Sequence, residues 1–191
     1  MNAAQFYEAF LHGWAVAQSH APLKRLAGKT LKWKLATAEG SVTFAFATNA
    51  KTAGLLPHLP GEFRLGIRWD RKVGQSRKTD DVSWFQYTTA EEAREFGALQ
   101  RIALEKFLSQ PGKAELRGIF NYAADPAWVP RANFDEFAYY FDAADANAWG
   151  NWYGARIESW VARFMLAPED FNTWCWRVLW PNAVRPLPSE A

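Results

Sequence analysis

Four basic residues carry the clearest chemical signal in this sequence. Lys32 and Lys34 alternate with apolar residues in one segment, and Arg64 and Arg68 do the same in another. This alternation is typical of half-buried β-strands, whose successive side chains point to opposite faces. If the segments pair in one sheet, all four cations project from the face opposite the core. Such a face can bind phosphates or the carboxylates of an acidic protein through charge-assisted hydrogen bonds.

Small residues separate these cations in the predicted sheet, which makes the face a shallow basic trough; they are Thr43, Ala45, Ala47 and Gly66. Three alternatives stay open. Lysine and arginine commonly protect the edges of solvent-facing strands. A late helix could cover the trough and pair Asp142 and Asp145 with it. The face taken by each residue of 82–87 is also undetermined.

Aromatic residues form a second candidate surface, because 31 of the 191 residues are aromatic and 11 of these are tryptophan. Alternating aromatics such as Trp33 and Phe44 are explained as sheet core, whereas the C-terminal tryptophans follow no single period. Trp149 and Trp152 flank Gly150-Asn151, which predicts a turn between helices and exposure of at least one indole. Since tryptophan is enriched in interface hot spots, we predict binding roles for Trp149 and Trp152 beside the four cations.

Patterns typical of catalysis, metal binding or cofactor binding fail on inspection. The three histidines follow no ligand spacing, Cys175 has no second cysteine, and no glycine-rich phosphate loop or GxSxG motif occurs. Residues 145–156 begin like a calcium loop, but Trp149 and Arg156 stand where oxygen ligands are required. Asp135, Asp142, Asp145 and His12 are candidate acid/base groups, although the solvated face of an amphipathic helix is the favoured explanation of the three aspartates. We therefore predict no catalytic residue, no metal and no cofactor.

Charge is unevenly distributed, although the net charge is only +2. Residues 1–80 carry a balance of +7 and residues 81–191 a balance of −5. This asymmetry indicates either a basic binding face or two halves that dock on each other. No apolar run approaches the roughly 20 residues of a membrane helix, and residues 1–20 lack the pattern of a signal peptide. We expect a soluble, cytoplasmic protein with no membrane partner.

The order of elements predicts an α+β fold with a single globular domain over 1–191. It comprises an N-terminal helix (4–18), a sheet region (29–87), a helical region (89–180) and a loose tail (181–191). The sheet is an antiparallel meander of about four or five strands, with the helices packed on one face. Asp70–Asp81 is predicted as a charged loop, followed by a strand over 82–87. Thr89 and Glu92 predict a capping box, Phe134–Ala148 has heptad-like spacing, and later helices are expected over 152–166 and 168–179.

Three classes of function remain open. The favoured one is a non-catalytic binding protein that recognises an acidic protein partner through the basic face. Neutralising or immunity-like proteins are an analogy for it at the level of fold alone. The second is a small-molecule binder or enzyme with a pocket between the sheet and the C-terminal helices. Nucleic-acid binding is less expected, because Trp33, Phe44 and Trp69 lie opposite the cations and cannot stack on a base that the cations hold.

Overall fold

The computed structural model describes residues 1–28, 30–48, 60–118 and 137–179. In these ranges the helices are α1 (Ala3–Val16), α2 (Ala90–Leu108), α3 (Ala143–Leu166) and α4 (Phe171–Leu179), with short 3₁₀ helices at Trp84–Tyr87 and Ala114–Gly118. The strands are β1 (Lys24–Arg25), β2 (Leu31–Ala36), β3 (Gly40–Thr48), β4 (Gly61–Val73), β5 (Ser76–Val82) and β6 (Phe137–Tyr140). The predicted α+β fold, with an antiparallel sheet, an N-terminal helix and C-terminal helices, is confirmed.

Alternation of apolar and polar residues gives the sheet one buried inner face and one exposed outer face. The sheet runs in the order β1-β2-β3-β4-β5, and every pairing is antiparallel. Leu35, Val42 and Trp69 face one another across three strands, as do Leu31, Phe46 and Leu65. The predicted inner-face residues of β2, β3 and β4 are all buried, which confirms the predicted core face.

The long strand β4 holds the rest of the sheet together. Its C-terminal half pairs with β5 and its N-terminal half pairs with β6 along the same edge. The predicted loop at Asp70–Asp81 is therefore wrong, since these residues form a hairpin that turns at Gly74, where φ is +61°. The predicted strand over 82–87 is also wrong, because β5 ends at Val82 and a 3₁₀ helix follows.

Helices α1 and α3 cover the inner face and touch each other through glycine. Phe10 of α1 packs on Phe46 with 4.7 Å between ring centroids, and Tyr153 of α3 packs on the same ring at 5.0 Å. A Cβ atom on Gly13 would lie 1.9 Å from the carbonyl oxygen of Asn147, and one on Gly150 would lie 1.9 Å from that of Phe10. The two backbones are thus in direct contact, an approach that only glycine permits.

The predicted helix-to-helix turn at Gly150-Asn151 is wrong, because α3 is continuous through both residues. The heptad-like helix over Phe134–Ala148 is also incorrect where it can be compared, since Phe137–Tyr140 is strand β6 and Phe134 lies outside the described residues. Asp142 is the N-cap of α3 and forms a capping box with Asp145. The heptad-like spacing therefore crosses a boundary between two elements, because the helix begins only after Asp142.

Helix α2 begins at the predicted capping box, in which Thr89 and Glu92 exchange hydrogen bonds with each other's backbone N–H. Its Gln100 is buried and pairs with the free edge of β6. The side-chain Nε2 donates to the carbonyl of Phe137 at 2.9 Å, and the N–H of Tyr139 donates to Oε1 at 2.8 Å. The Gln100 amide thus satisfies two backbone groups of β6 that a neighbouring strand would otherwise pair. Within the described ranges no helix combines the length and apolarity needed to cross a membrane.

Candidate functional site

The four cations predicted from the sequence lie together on the outer face of the sheet. Lys34 on β2 and Arg68 on β4 flank Thr43 of β3 in one transverse row. Lys32 lies in the next row, with Ala45 and Gly66 beside it, and Arg64 pairs with Ala47 one further row along. The predicted register is therefore observed, and the side chains of Lys32, Lys34, Arg64 and Arg68 share one surface, which we call the basic face.

All four cations of the basic face are exposed. Among the residues that the structure describes, none of them forms an ion pair or a side-chain hydrogen bond. Arg71, on the inner side of the same strand, behaves differently. It lies over the Trp69 ring at 4.1 Å and contacts Asp80 at 2.9 Å. The outer cations are thus available to a ligand, whereas Arg71 is part of the fold.

Strand register adds three cations to this face that the sequence placed in a link or a loop. Lys24 of β1 lies directly opposite Lys34, and Lys72 of β4 lies opposite Arg77 of β5. The described outer-face carboxylates are Glu62, Asp70 and Asp81. Like charges directly opposite on a sheet are destabilising, so this arrangement costs the fold stability. Seven cations against three carboxylates make the described outer face basic, although Asp70 lies between Arg68 and Lys72 on β4.

Two adjoining clefts indent the basic face. The first has a volume of about 570 Å³ and is bordered by Lys32, Arg64 and Arg68, with Ala45 and Gly66 at its floor. The second, of about 890 Å³, is bordered by Lys34, Lys72 and Arg77 at the hairpin end of the sheet. The predicted trough of small residues between cations is thus present as two depressions.

Trp149 and Trp152 are buried, with exposed fractions of 1% and 5%, so the expected exposure of at least one of them is wrong. The Trp149 indole donates to the carbonyl of Tyr139 at 2.7 Å. The Trp152 indole donates to Glu95 at 3.2 Å, and Arg156 lies over its ring at 4.8 Å. Both indole N–H groups are satisfied inside the fold, and the predicted binding role of these two tryptophans gains no support from their position.

The carboxylates considered for acid/base chemistry have structural partners. The Nζ of Lys106 contacts Asp145 at 2.5 Å and Asp142 at 3.1 Å. Burial alone would raise the pKa of Asp142, but hydrogen bonds from the Asp145 backbone and from Lys106 outweigh it and lower that pKa. These two carboxylates therefore do not pair with the basic face, as one alternative required. Asp135 lies outside the described residues.

The remaining sequence candidates are dispersed. His12 contacts Asn147 at 2.7 Å on the α1–α3 side of the molecule, remote from the basic face. His58 and the side chain of Cys175 lie outside what the structure describes. In the described parts of the chain, no three His, Cys, Asp or Glu side chains come together as a metal site would require.

A polar seam between α2 and α3 was not foreseen from the sequence. Glu92 accepts hydrogen bonds from the Trp160 indole at 3.3 Å and from Arg163 at 2.9 Å, and Arg156 similarly binds Glu95. Burial alone would raise the pKa of Glu92, but the hydrogen bonds from Arg163, the Thr89 backbone and Trp160 outweigh it and lower that pKa. The available signal was that Glu92 and Glu95 lie three residues apart on one helix and Arg156 and Arg163 seven apart on another. Each spacing places both charges on one face of its helix.

Comparison of the chain with models of known protein families, with curated proteins and with solved structures found no match.

Proposed function

We propose that this protein is a non-catalytic binding protein that recognises an acidic protein partner through the basic face. One observation carries the proposal. Arg64 and Arg68 lie on an interior strand, exposed and without a partner in the described residues, above a floor of small side chains. An excess of solvent-exposed cations that form no ion pair attracts an anionic surface, steers its approach and selects against basic partners.

Protection of a sheet edge does not explain these two arginines. Cations suit an edge strand because they discourage pairing with another chain. Lys24 on β1 fits that explanation, and Lys32 and Lys34 lie on the strand next to it. Strand β4, however, pairs with β3 on one side and with β5 and β6 on the other. On that second side Arg64 lies opposite Phe137 and Arg68 opposite Asp81, and only Leu65 and Gly66 between them lack a described strand partner. Neither arginine is itself on a free edge, so a different reason is needed for these two exposed guanidinium groups.

The alternative of a pocket between the sheet and the helices receives no support, because packed side chains occupy that space. Phe63 of the sheet contacts Trp149 at 5.7 Å and Tyr153 at 6.0 Å between ring centroids. Trp84 stacks on Trp160 at 5.2 Å in the same layer. For nucleic acid, the aromatic residues Trp33, Phe44 and Trp69 are buried beneath the basic face and cannot stack on bases.

The test is affinity capture from a native lysate with the wild-type protein and with Arg64→Glu/Arg68→Glu, each with and without nuclease. We expect the wild type to retain an acidic protein at low salt, to release it as salt rises toward about 0.3 M because the charges are exposed, and to do so regardless of nuclease. The double charge reversal should weaken binding by at least about 100-fold, which is about 2.7 kcal/mol.

Arg94→Glu is the matched control, because Arg94 is an exposed cation on α2 rather than on the sheet. It should bind as the wild type does. Retention of the partner by the doubly reversed variant would refute the proposal. Loss of the captured material after nuclease treatment would instead favour the nucleic-acid alternative.

A further inference from the structure

Gly66 occupies the centre of the first cleft, at a position where neither the backbone conformation nor a described contact requires glycine. It lies in the middle of β4 and is exposed on the basic face. Its φ is not in the left-handed region, and a Cβ built there would meet only the carbonyl oxygen of Ala45, at 3.9 Å, among the described residues. Glycine inside a strand weakens it and often marks a place where a ligand approaches the backbone closely. Here the missing side chain keeps the floor of the cleft open.

Three cations surround this open floor. Arg64 and Arg68 precede and follow Gly66 by two residues on the same face, so their Cα atoms are each about 6.7 Å from it along the strand. Lys32 shares its row and lies two strands away, at about 10 Å. Long side chains rooted at these positions can converge on one anionic group above Gly66. Such convergence of charge-assisted hydrogen bonds favours a carboxylate or phosphate over an isolated surface contact.

One aromatic side chain lines the first cleft, and a second lies near it on the same face. Phe171, the first residue of α4, lines it beside Arg64 and Arg68. Phe137 of β6 pairs with Arg64 in register on the same face and is 39% exposed. Apolar rings beside cations suit a ligand that carries an apolar group next to its negative charge. Buried aromatic contacts ringed by polar ones are the usual hot spots of protein interfaces.

The second cleft continues the first along β4. From Arg64 to Lys72 the strand advances eight residues, or about 26 Å. An extended peptide of about eight residues spans the same length, whereas a single small ligand would occupy only one cleft. Cations outnumber carboxylates in both linings, with Asp81 in the first cleft and Glu39 and Asp70 in the second, so an occupant with net negative charge is favoured.

We propose that the two clefts bind an extended acidic segment of the partner, with one carboxylate centred over Gly66 and a neighbouring apolar side chain against Phe171. This rests on the proposed function and names the element of the partner that is recognised. Asp81 lies opposite Arg68 at the rim of the first cleft and opposes such a ligand. Its removal therefore strengthens binding, which a merely structural role would not predict.

The experiment measures fluorescence anisotropy of labelled eight-residue peptides at 50 mM and 300 mM NaCl. One peptide contains seven glutamates and a central phenylalanine, and the second has serine in place of the phenylalanine. An oligothymidine of eight nucleotides and inorganic pyrophosphate serve as unlabelled competitors of the labelled peptides. We expect the phenylalanine peptide to bind the wild-type protein several-fold more tightly than the serine peptide, and both to weaken at high salt.

Four variants distinguish the effect of the cleft's shape on peptide binding from the effect of its charge. Gly66→Val fills the floor of the cleft without changing its charge and should weaken binding of the phenylalanine peptide at least tenfold, with a melting temperature no lower than that of the wild type. Phe171→Ala should abolish the preference for phenylalanine, Asp81→Asn should strengthen binding two- to fivefold, and Arg94→Glu should have no effect.

If Gly66→Val binds within twofold of the wild type, or if neither peptide binds, the inference is overturned. If Gly66→Val binds normally while Arg68→Glu does not, the basic face still acts as proposed and only the cleft assignment fails. Tighter binding of oligothymidine than of either peptide would overturn both. Displacement of the labelled phenylalanine peptide by pyrophosphate at lower concentration than by the unlabelled peptide would overturn the inference and assign the cleft to a phosphate instead.

Discussion

Replacing Gly13 with alanine should destabilise the protein, although alanine is the better helix former. A Cβ at this position would lie 1.9 Å from the carbonyl oxygen of Asn147 and 2.8 Å from the backbone nitrogen of Asn151. Both atoms belong to the backbone of α3, so no side chain can turn aside. Relief to an ordinary van der Waals contact of about 3.4 Å requires α1 and α3 to separate by about 1.5 Å, which loosens the packing of Phe10 on Phe46.

Two opposing terms determine the size of the effect. Alanine in place of glycine in a helix interior gains about 1 kcal/mol of intrinsic propensity. Overpacking of a tight interface usually costs about 1–3 kcal/mol, and a clash with two backbone atoms lies at the upper end of that range. We therefore expect a net loss of about 2 kcal/mol in the free energy of unfolding. For a chain of this length, that corresponds to a fall of about 4–8 °C in melting temperature.

Urea denaturation followed by tryptophan fluorescence measures this loss, and an unchanged m-value shows that the native packing, rather than the unfolded state, is affected. Gly150→Ala should match it, because its Cβ would meet the carbonyl oxygen of Phe10 at 1.9 Å. Gly154→Ala should cost less, because its nearest contact is the Cβ of Ala17 at 2.9 Å. Gly66→Ala should be neutral or stabilising. A Gly13→Ala protein as stable as the wild type would refute the direct backbone contact between α1 and α3.

Two other predictions concern the polar contacts that complete the fold. Gln100→Leu should lower the free energy of unfolding by about 2–3 kcal/mol in urea denaturation, because it leaves the backbone groups of β6 without partners; an equally stable variant would contradict the edge-pairing role. Stability should fall as the pH drops below about 4.5, because the folded pKa values of Glu92 and Asp142 lie below their ordinary values and their stabilisation is lost on protonation. Thermal melts of Glu92→Gln should show a shallower acid dependence than those of the wild type, and identical slopes would exclude Glu92 as a contributor.

The sheet core could be predicted because large apolar residues alternate with polar or small ones over 31–35, 42–46 and 63–69. The hairpin of β4 and β5 could not, because beyond Trp69 both of its faces carry charged residues. There the inner side is stabilised by Arg71, which contacts Trp69 and Asp80, rather than by aliphatic packing. A strand stabilised by ion pairs has the composition of a loop, and only its backbone pairing distinguishes the two.

The predicted exposure of Trp149 or Trp152 was wrong for a different reason. The expectation of exposure rested on a turn predicted at Gly150-Asn151, whereas α3 is continuous there and buries both indoles. In the described part of the chain, Trp149, Trp152 and Trp160 find partners in a backbone carbonyl and two glutamates of α2, contacts that depend on tertiary structure. The indoles of Trp69 and Trp84 are buried without any partner there, so the fold accepts that cost to retain aromatic packing. Neither outcome is encoded in local sequence spacing.

The uneven charge of the sequence left open whether a basic first half simply docks on an acidic second half. The ion pairs of the described residues decide between these explanations. Carboxylates of the second half are bound by cations of the same half: Lys106 binds Asp142 and Asp145, and Arg163 binds Glu92. Arg71–Asp170, at 3.6 Å, is the one ion pair there that joins residues 1–80 to residues 81–191. The described ion pairs of the acidic half are therefore mostly internal to it, and the four cations of the basic face form no ion pair among the described residues.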